Sequence, residues 1–538
     1  MNAAAAGWRL RATLAILAAL PGALRAVAAP ARLSSVQVPA GWGVRDAALA
    51  DADGDGQPDL IVMASDGQRR FRRSLRVHLR QPGHACFSGE PARVLELTPD
   101  VVAFAAGDVA PDPGRELVLF TPAAAYAWRS AAPEQERPHR LAAGDFLWQL
   151  PHPHEVFLWS AGVRDIDGDG RDDLLLPEPG GYRVARQGAG EPGAAGAWGT
   201  DQVLALPATS LAPEPASEGT RRLQVRQQAR SFSLSLSLGG GDPKYRSQVL
   251  SVHDGIPAPV LADWDGDGRS DLLAQTADEL LVWVQSRDGT FAREPDLRQA
   301  FPVAMDTARL LDVSFSSHAV DLNGDGRVDC VVFAGDRNSE EVRTQILVYV
   351  QGAGSGASAP AGESPLFGAK GVPQQLLVVR GFAGLPQLVD VDGDAAPDLF
   401  LATLKMSSME AVRAATSGTV NAELSLYLNR RGRFSAQPDA HLGITIPTEG
   451  LRDAGRGARI EFVGDADGDG RRDLLLRDDP SRLRVLALGR GRRGLEFAAA
   501  PLFEVRIDER AEVLVGRDDP PEILVLEKGQ VLHVRFRE

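Results

Sequence analysis

A nine-residue pattern, Asp-x-Asp-Gly-Asp-Gly-x-x-Asp followed at once by apolar residues, recurs along this 538-residue chain and limits its fold more than any other feature. It stands complete at Asp51–Asp59, Asp165–Asp173, Asp263–Asp271 and Asp465–Asp473. Two variants extend the series: Asp321–Asp329 carries Asn323 at the third position, and Asp390–Asp398 carries Ala395 in place of the second glycine. Each loop runs into a short apolar segment, such as Leu60-Ile61-Val62 or Leu474-Leu475-Leu476. Apolar runs of that length bounded by turn signals read as buried strands.

Two more units keep the strand and lose the loop. One runs Asp108, Asp112, Glu116 and then Leu117-Val118-Leu119; the other places Glu522 before Ile523-Leu524-Val525. The first aspartates are spaced by 57, 57, 98, 58, 69 and 75 residues, and a period of this size with several strands per unit belongs to propellers or solenoids. Within a unit, Leu280–Val284 leads to a turn at Asp288-Gly289, and the alternating Leu424, Leu426 and Leu428 precede Arg431-Gly432, as strands joined by glycine turns do. The C-terminal segment reads as three strands, Glu512–Gly516, Ile523–Glu527 and Gln530–Phe536, and Leu33–Val38 from the N-terminal side is placed to supply the fourth. A ring closed from both ends of the chain leaves only short sheet edges. The expectation is an all-β propeller of about eight four-stranded blades, or seven if a degenerate unit is absorbed by its neighbour.

Carboxylates at positions 1, 3 and 5 of a tight loop converge on one point, the carbonyl at position 7 joins them, and glycines at 4 and 6 permit the turn. Hard oxygen donors at this density suit Ca²⁺; magnesium prefers fewer carboxylates, and softer metals want the His or Cys that these loops lack. An EF-hand needs a carboxylate at position 12, where this chain has Val62, Leu176, Ala274, Val332, Leu401 and Leu476, and it needs flanking helices. The last carboxylate here falls at position 9 and the flank is a strand.

Loop and strand together resemble the FG-GAP and VCBS-type repeats of integrin-α-like propellers, over most of residues 33–538. The resemblance implies that the loop joins the first two strands of a blade and that the side chains at positions 1, 3, 5 and 9 are the ligands of about six structural Ca²⁺ sites. They are Asp51, Asp53, Asp55 and Asp59; Asp165, Asp167, Asp169 and Asp173; Asp263, Asp265, Asp267 and Asp271; Asp321, Asn323, Asp325 and Asp329; Asp390, Asp392, Asp394 and Asp398; and Asp465, Asp467, Asp469 and Asp473.

The net charge of −14 is concentrated in these loops: their positions 1, 3, 5 and 9 carry 23 of the 72 acidic residues, which leaves 49 against 58 Lys plus Arg. No basic stripe with interleaved aromatics is present, which argues against a nucleic-acid partner. Arg9 and Arg11, the apolar run Ala12–Leu20 and the small residues Ala26-Val27-Ala28 read as a signal peptide over 1–29. That run is too short to cross a bilayer, and residues 30–538 form the propeller, exported to the periplasm, cell surface or medium. Two cysteines, Cys86 and Cys330, exclude a disulfide scaffold.

The 98-residue step includes an insertion at about 185–255, with a Gly/Ala/Pro-rich stretch and the alternating Phe232, Leu234, Leu236 and Leu238. A short helix-like insertion, Ser407–Thr416, ends at Gly418 as a C-cap. Gly188-x-Gly190-x-x-Gly193 lacks a surrounding βαβ unit, Asp312–Ser316 runs into a metal loop and not a helix, and His152-Pro-His154 reads as a turn before the strand Val156–Trp159. The functional expectation is a non-enzymatic module that binds protein or polysaccharide. The alternative is a propeller enzyme, lyase or hydrolase, acting on polysaccharide, which needs an acid/base cluster at a channel mouth away from the loops.

Overall fold

The computed structural model describes residues 31–536 apart from 68–71, 82–85, 112, 131–136, 147, 149–153, 179, 189–197, 199–201, 207–258, 276–278, 302–315, 336–342, 353–365, 367–371, 405–412, 415, 449–457, 492–493 and 517–519. The expected signal segment, most of the 185–255 insertion with its Phe232–Leu238 run, and residues 312–315 of the Asp312–Ser316 pattern lie outside the described residues.

Eight four-stranded antiparallel sheets form a closed ring, an eight-bladed β-propeller. Blade 1 is typical: Trp42–Ala50, Asp59–Asp66, Arg73–His78 and Arg93–Leu97 pair in chain order. Its second strand is buried along its whole length, whereas the fourth alternates between half-buried and exposed. That difference is the reason the apolar runs after the loops are continuous: a strand covered on both faces by neighbouring blades has no polar side to show.

Side chains alternate between the two flanks of a blade. In blade 4, Leu272, Ala274, Leu281 and Trp283 pack toward blade 3, while Leu273, Leu280 and Val282 pack toward blade 5. The same alternation continues around the ring until Leu524, Leu526 and Val531 of blade 8 meet Leu60, Val62 and Ala64 of blade 1. Blade 8 takes three strands from the C-terminal side, Glu512–Val515, Glu522–Leu526 and Gln530–Arg535, and its outer strand, Arg32–Gln37, from the N-terminal side. Arg32 lies opposite Arg535 and Gln37 opposite Gln530. The count is eight, because both degenerate units build complete blades.

Two additions interrupt the regular plan. Phe157–Leu158, after the expected His-Pro-His turn, pairs parallel with Ala103–Gly107 and gives blade 2 a fifth, inner strand. A hairpin, Leu488–Gly491 with Gly494–Phe497, stands between the third and fourth strands of blade 7. In the first strand of blade 1, Asp46 touches both neighbouring blades: it accepts the Leu158 N–H of blade 2 at 3.0 Å and feels the charge of Glu512 in blade 8. Residues 413–414 and 416–417 are helical, and Gly418, at φ +65°, closes that turn with a bond from its N–H to Ala414.

Candidate metal centres

Every nine-residue loop joins the first and second strands of its blade, so all six stand on one face of the ring. Their shape is fixed by backbone N–H groups that the first aspartate gathers. In blade 1, Asp51 Oδ1 accepts from Gly54 at 2.7 Å and Asp55 at 3.1 Å, and Oδ2 accepts from Gly56 at 2.9 Å. The same bonds recur around Asp165, Asp263, Asp390 and Asp465. Such folding back requires a left-handed residue at position 6, where Gly56 has φ +82° and Ala395, a non-glycine, is forced to φ +68°.

The ninth-position aspartate is buried and doubly held. Asp271 Oδ2 accepts the N–H of Trp264 at 2.7 Å, within the loop, and Oδ1 accepts the N–H of Gln285 at 2.7 Å, just past the third strand. Asp59, Asp173, Asp329, Asp398 and Asp473 make the equivalent pair of bonds. Burial, reinforced by the neighbouring loop carboxylates, pushes Asp173, Asp398 and Asp473 up to about 7 and Asp271 and Asp329 to about 6.

In five loops the carboxylates of positions 1, 3 and 9 converge, one oxygen from each lying within 4.8 Å of the others: Asp51/Asp53/Asp59, Asp165/Asp167/Asp173, Asp263/Asp265/Asp271, Asp390/Asp392/Asp398 and Asp465/Asp467/Asp473. The fifth-position carboxylates stand outside these groups and turn to position 7. Asp169, Asp267 and Asp469 each accept both the backbone N–H and the guanidinium of Arg171, Arg269 and Arg471, while Asp55 and Asp394 accept only the N–H of Gln57 and Ala396. In the asparagine loop, Asn323 Nδ2 donates to Asp325 Oδ2 at 3.0 Å, and Asp321 and Asp329 supply the carboxylates at positions 1 and 9.

The donor set fits a hard divalent cation. Three carboxylates at this separation repel, and Asp167 and Asp392 are raised first by burial and then by their carboxylate neighbours, a charge problem that a bound cation reverses. Asp392 Oδ1 is buried and makes no hydrogen bond that meets normal geometry, so this oxygen is already desolvated.

The two loop-free blades carry protein cations instead. Glu116 of blade 2 takes the ninth-position role, accepting the Val109 N–H at 3.0 Å, and Arg115 reaches Asp172 of blade 3 at 3.1 Å. In blade 8, Glu522 receives Arg80 of blade 1 at 2.8 Å, His533 at 3.0 Å and Arg535 at 3.4 Å. Burial alone would raise Glu522, but the bonds from His533 and Arg80 outweigh it and hold its carboxyl down to about 2.

One set of residues escaped sequence reasoning. The second residue after the third strand, which caps its own ninth-position aspartate, also reaches the preceding blade's loop: Gln285 Nε2 donates to the Ile166 carbonyl at 2.8 Å, Gln351 Nε2 to Trp264 at 3.2 Å, and Asn429 Nδ2 to Leu322 at 2.7 Å. Ser130 does the same to Ala52. A groove at the rim between blades 6 and 7 is lined by Asn421, Glu423, His441, Asp478 and Arg484. There Asp478 pairs with Arg484 at 2.6 Å and the adjacent Asp479 accepts from Ser481, so this carboxylate pair is engaged internally.

A family model described as an FG-GAP-like repeat matches residues 263–332, and one described as an FG-GAP repeat matches residues 157–195. Both stretches contain nine-residue aspartate loops, beginning at Asp263, Asp321 and Asp165. No curated protein sequence matches the chain. Among solved structures, an Agrocybe aegerita lectin described as recognising non-reducing terminal N-acetylglucosamine is 12% identical, with a TM-score of 0.35, 79% of this chain and 92% of that one being covered. Sqt1 from Chaetomium thermophilum is 10% identical with a TM-score of 0.42, over 94% and 100% of the two chains. The rhamnogalacturonan lyase PL11 of Bacillus licheniformis is 12% identical with a TM-score of 0.31, over 95% and 75%. Likenesses this remote say nothing of ligand or activity.

Proposed function

We propose that this FG-GAP repeat-containing β-propeller is an exported, calcium-stabilised binding module, non-enzymatic, whose ring presents loops to a protein or polysaccharide. The observation that carries the metal half of the reading is the set of five three-carboxylate groups on one face, each pre-shaped by its own backbone N–H groups. Calcium is the cation of choice because the donors are all oxygen and no His or Cys stands in any loop. The role of the ion is structural: it neutralises carboxylates that otherwise oppose each other at the junction of the first two strands. Export rests on the N-terminal Arg9-to-Ala28 pattern.

The test is thermal unfolding of residues 30–538 in excess calcium, excess magnesium and chelator. Each site saturated at a hundredfold its dissociation constant adds about 2.7 kcal/mol, so calcium raises the melting temperature strongly and magnesium far less. An unchanged melting temperature removes the metal from the account. Glycan and protein-partner screens run with and without calcium then test the binding role, and sequencing the N-terminus of exported protein tests cleavage near Ala29.

A further inference from the structure

We infer that Gln285, Gln351 and Asn429 couple neighbouring metal loops, so that blades 3 to 6 take up calcium cooperatively. The inference rests on the calcium reading above. Each of these residues holds two loops at once. The Gln285 N–H donates to Asp271 Oδ1, the last carboxylate of its own loop, while its side chain holds the Ile166 carbonyl, which stands between Asp165 and Asp167 in the preceding loop. Gln351 joins Asp329 to the carbonyl of Trp264, between Asp263 and Asp265. Asn429 joins Asp398 to the carbonyl of Leu322, between Asp321 and Asn323.

All three are 1% exposed, so water does not replace a lost bond, and each link runs the same way around the ring. Because the backbone donor and the side-chain donor belong to one residue, a shift in one loop moves the anchor of the next. When a cation draws Asp165 and Asp167 together, the peptide between them settles, Gln285 settles with it, and Asp271 is presented to the blade 4 site. Coupling of this kind is reciprocal in free energy. At blade 7 the link changes character: Leu488 caps Asp473 through its N–H at 3.2 Å but has no side-chain donor, and the Arg472 N–H bonds the Val391 carbonyl of blade 6 at 2.9 Å instead.

Trp264 occupies the second position of the blade 4 loop, where the other five have Ala52, Ile166, Leu322, Val391 and Ala466. Terbium(III), a hard cation that seeks oxygen donors, is therefore sensitised in that loop by its own tryptophan, and the signal lost in Trp264→Phe is that loop's occupancy. Disabling the blade 3 loop with Asp165→Asn and Asp167→Asn is expected to move the Trp264-dependent midpoint to about fivefold higher terbium, the factor one net hydrogen bond is worth. In a Gln285→Met background the same pair of substitutions leaves the midpoint where it was. Gln374→Met removes an exposed amide that bonds only Val350 within its own blade, and it preserves the wild-type response, which separates coupling from general loosening. A midpoint that ignores the blade 3 substitutions with Gln285 in place overturns the coupling alone. A chain with no Trp264-dependent signal overturns the calcium reading and the coupling with it.

Discussion

Replacing Glu522 by Gln tests what closes the ring. Glu522 and Arg80 belong to blades 8 and 1, their side chains are 7% and 3% exposed, and His533 lies against the same carboxylate at 1%. Lowering the carboxyl from 4.5 to about 2 corresponds to about 3 kcal/mol at 1.36 kcal/mol per unit. Leaving a buried cation without its partner costs a similar 3 to 5 kcal/mol, so the two routes agree. Arg80 keeps its bond to the Pro58 carbonyl at 2.8 Å and its place over Phe87, which sets the expectation at the lower end, about 3 kcal/mol. The sign follows from linkage: a carboxyl depressed in the folded state contributes stability that is full above about 4.5 and lost as pH falls toward 2. Urea titrations at fixed calcium and pH 7 should therefore separate wild type from Glu522→Gln by about 3 kcal/mol, and the two should converge near pH 2. Arg80→Met combined with Glu522→Gln should cost less than the sum of the single changes. A Glu522→Gln protein within about 0.5 kcal/mol of wild type at pH 7, the range of an ordinary surface change, would refute the closing role of this pair.

Ala395→Gly relieves the one non-glycine at the sixth loop position, φ +68°, and should stabilise the protein by about 1 kcal/mol, read as a rise in melting temperature. Gly162→Ala should destabilise it by more than about 2 kcal/mol, because the added Cβ would lie 1.7 Å from Trp159 Nε1, and loss of tryptophan near-UV dichroism would report the displaced ring. Burial raises Asp46 to about 7, so its contribution to stability falls as pH rises from 3.8 to 7; Asp46→Asn should be the more stable protein at pH 8 and gain nothing at pH 4, by denaturant midpoint.

Blade number, loop positions and the closing strands were legible because each rests on a local signal. The loops announce themselves by Asp-Gly spacing, the second strands by unbroken apolar runs, and the seam by a C-terminal unit of only three strands with a spare strand, Arg32–Gln37, at the N-terminal side. The two degenerate blades were legible for the same reason: Glu116 and Glu522 each open a fully buried strand. The bridging amides left no such trace. Gln285 follows Asp271 by 14 residues, Gln351 follows Asp329 by 22, and Asn429 follows Asp398 by 31, since the turn between second and third strands varies in length while the third strand's end stays fixed in space. Nor does composition distinguish position 5 from positions 1, 3 and 9. Only the fold shows that Asp169, Asp267 and Asp469 face an arginine two residues on.

The pairing of Arg32–Gln37 with Gln530–Arg535 also sets a timetable. A chain made at 5–20 residues per second leaves its first strand waiting roughly 25 to 100 s for its partner. Through that interval the flank of blade 1 formed by Leu60, Val62 and Ala64 has none of its cover from Leu524, Leu526 and Val531. A second nascent chain nearby offers the same strand and the same flank, so crowding at this stage favours strand exchange: the first strand of one copy completes the last blade of another, and two rings close as a swapped pair.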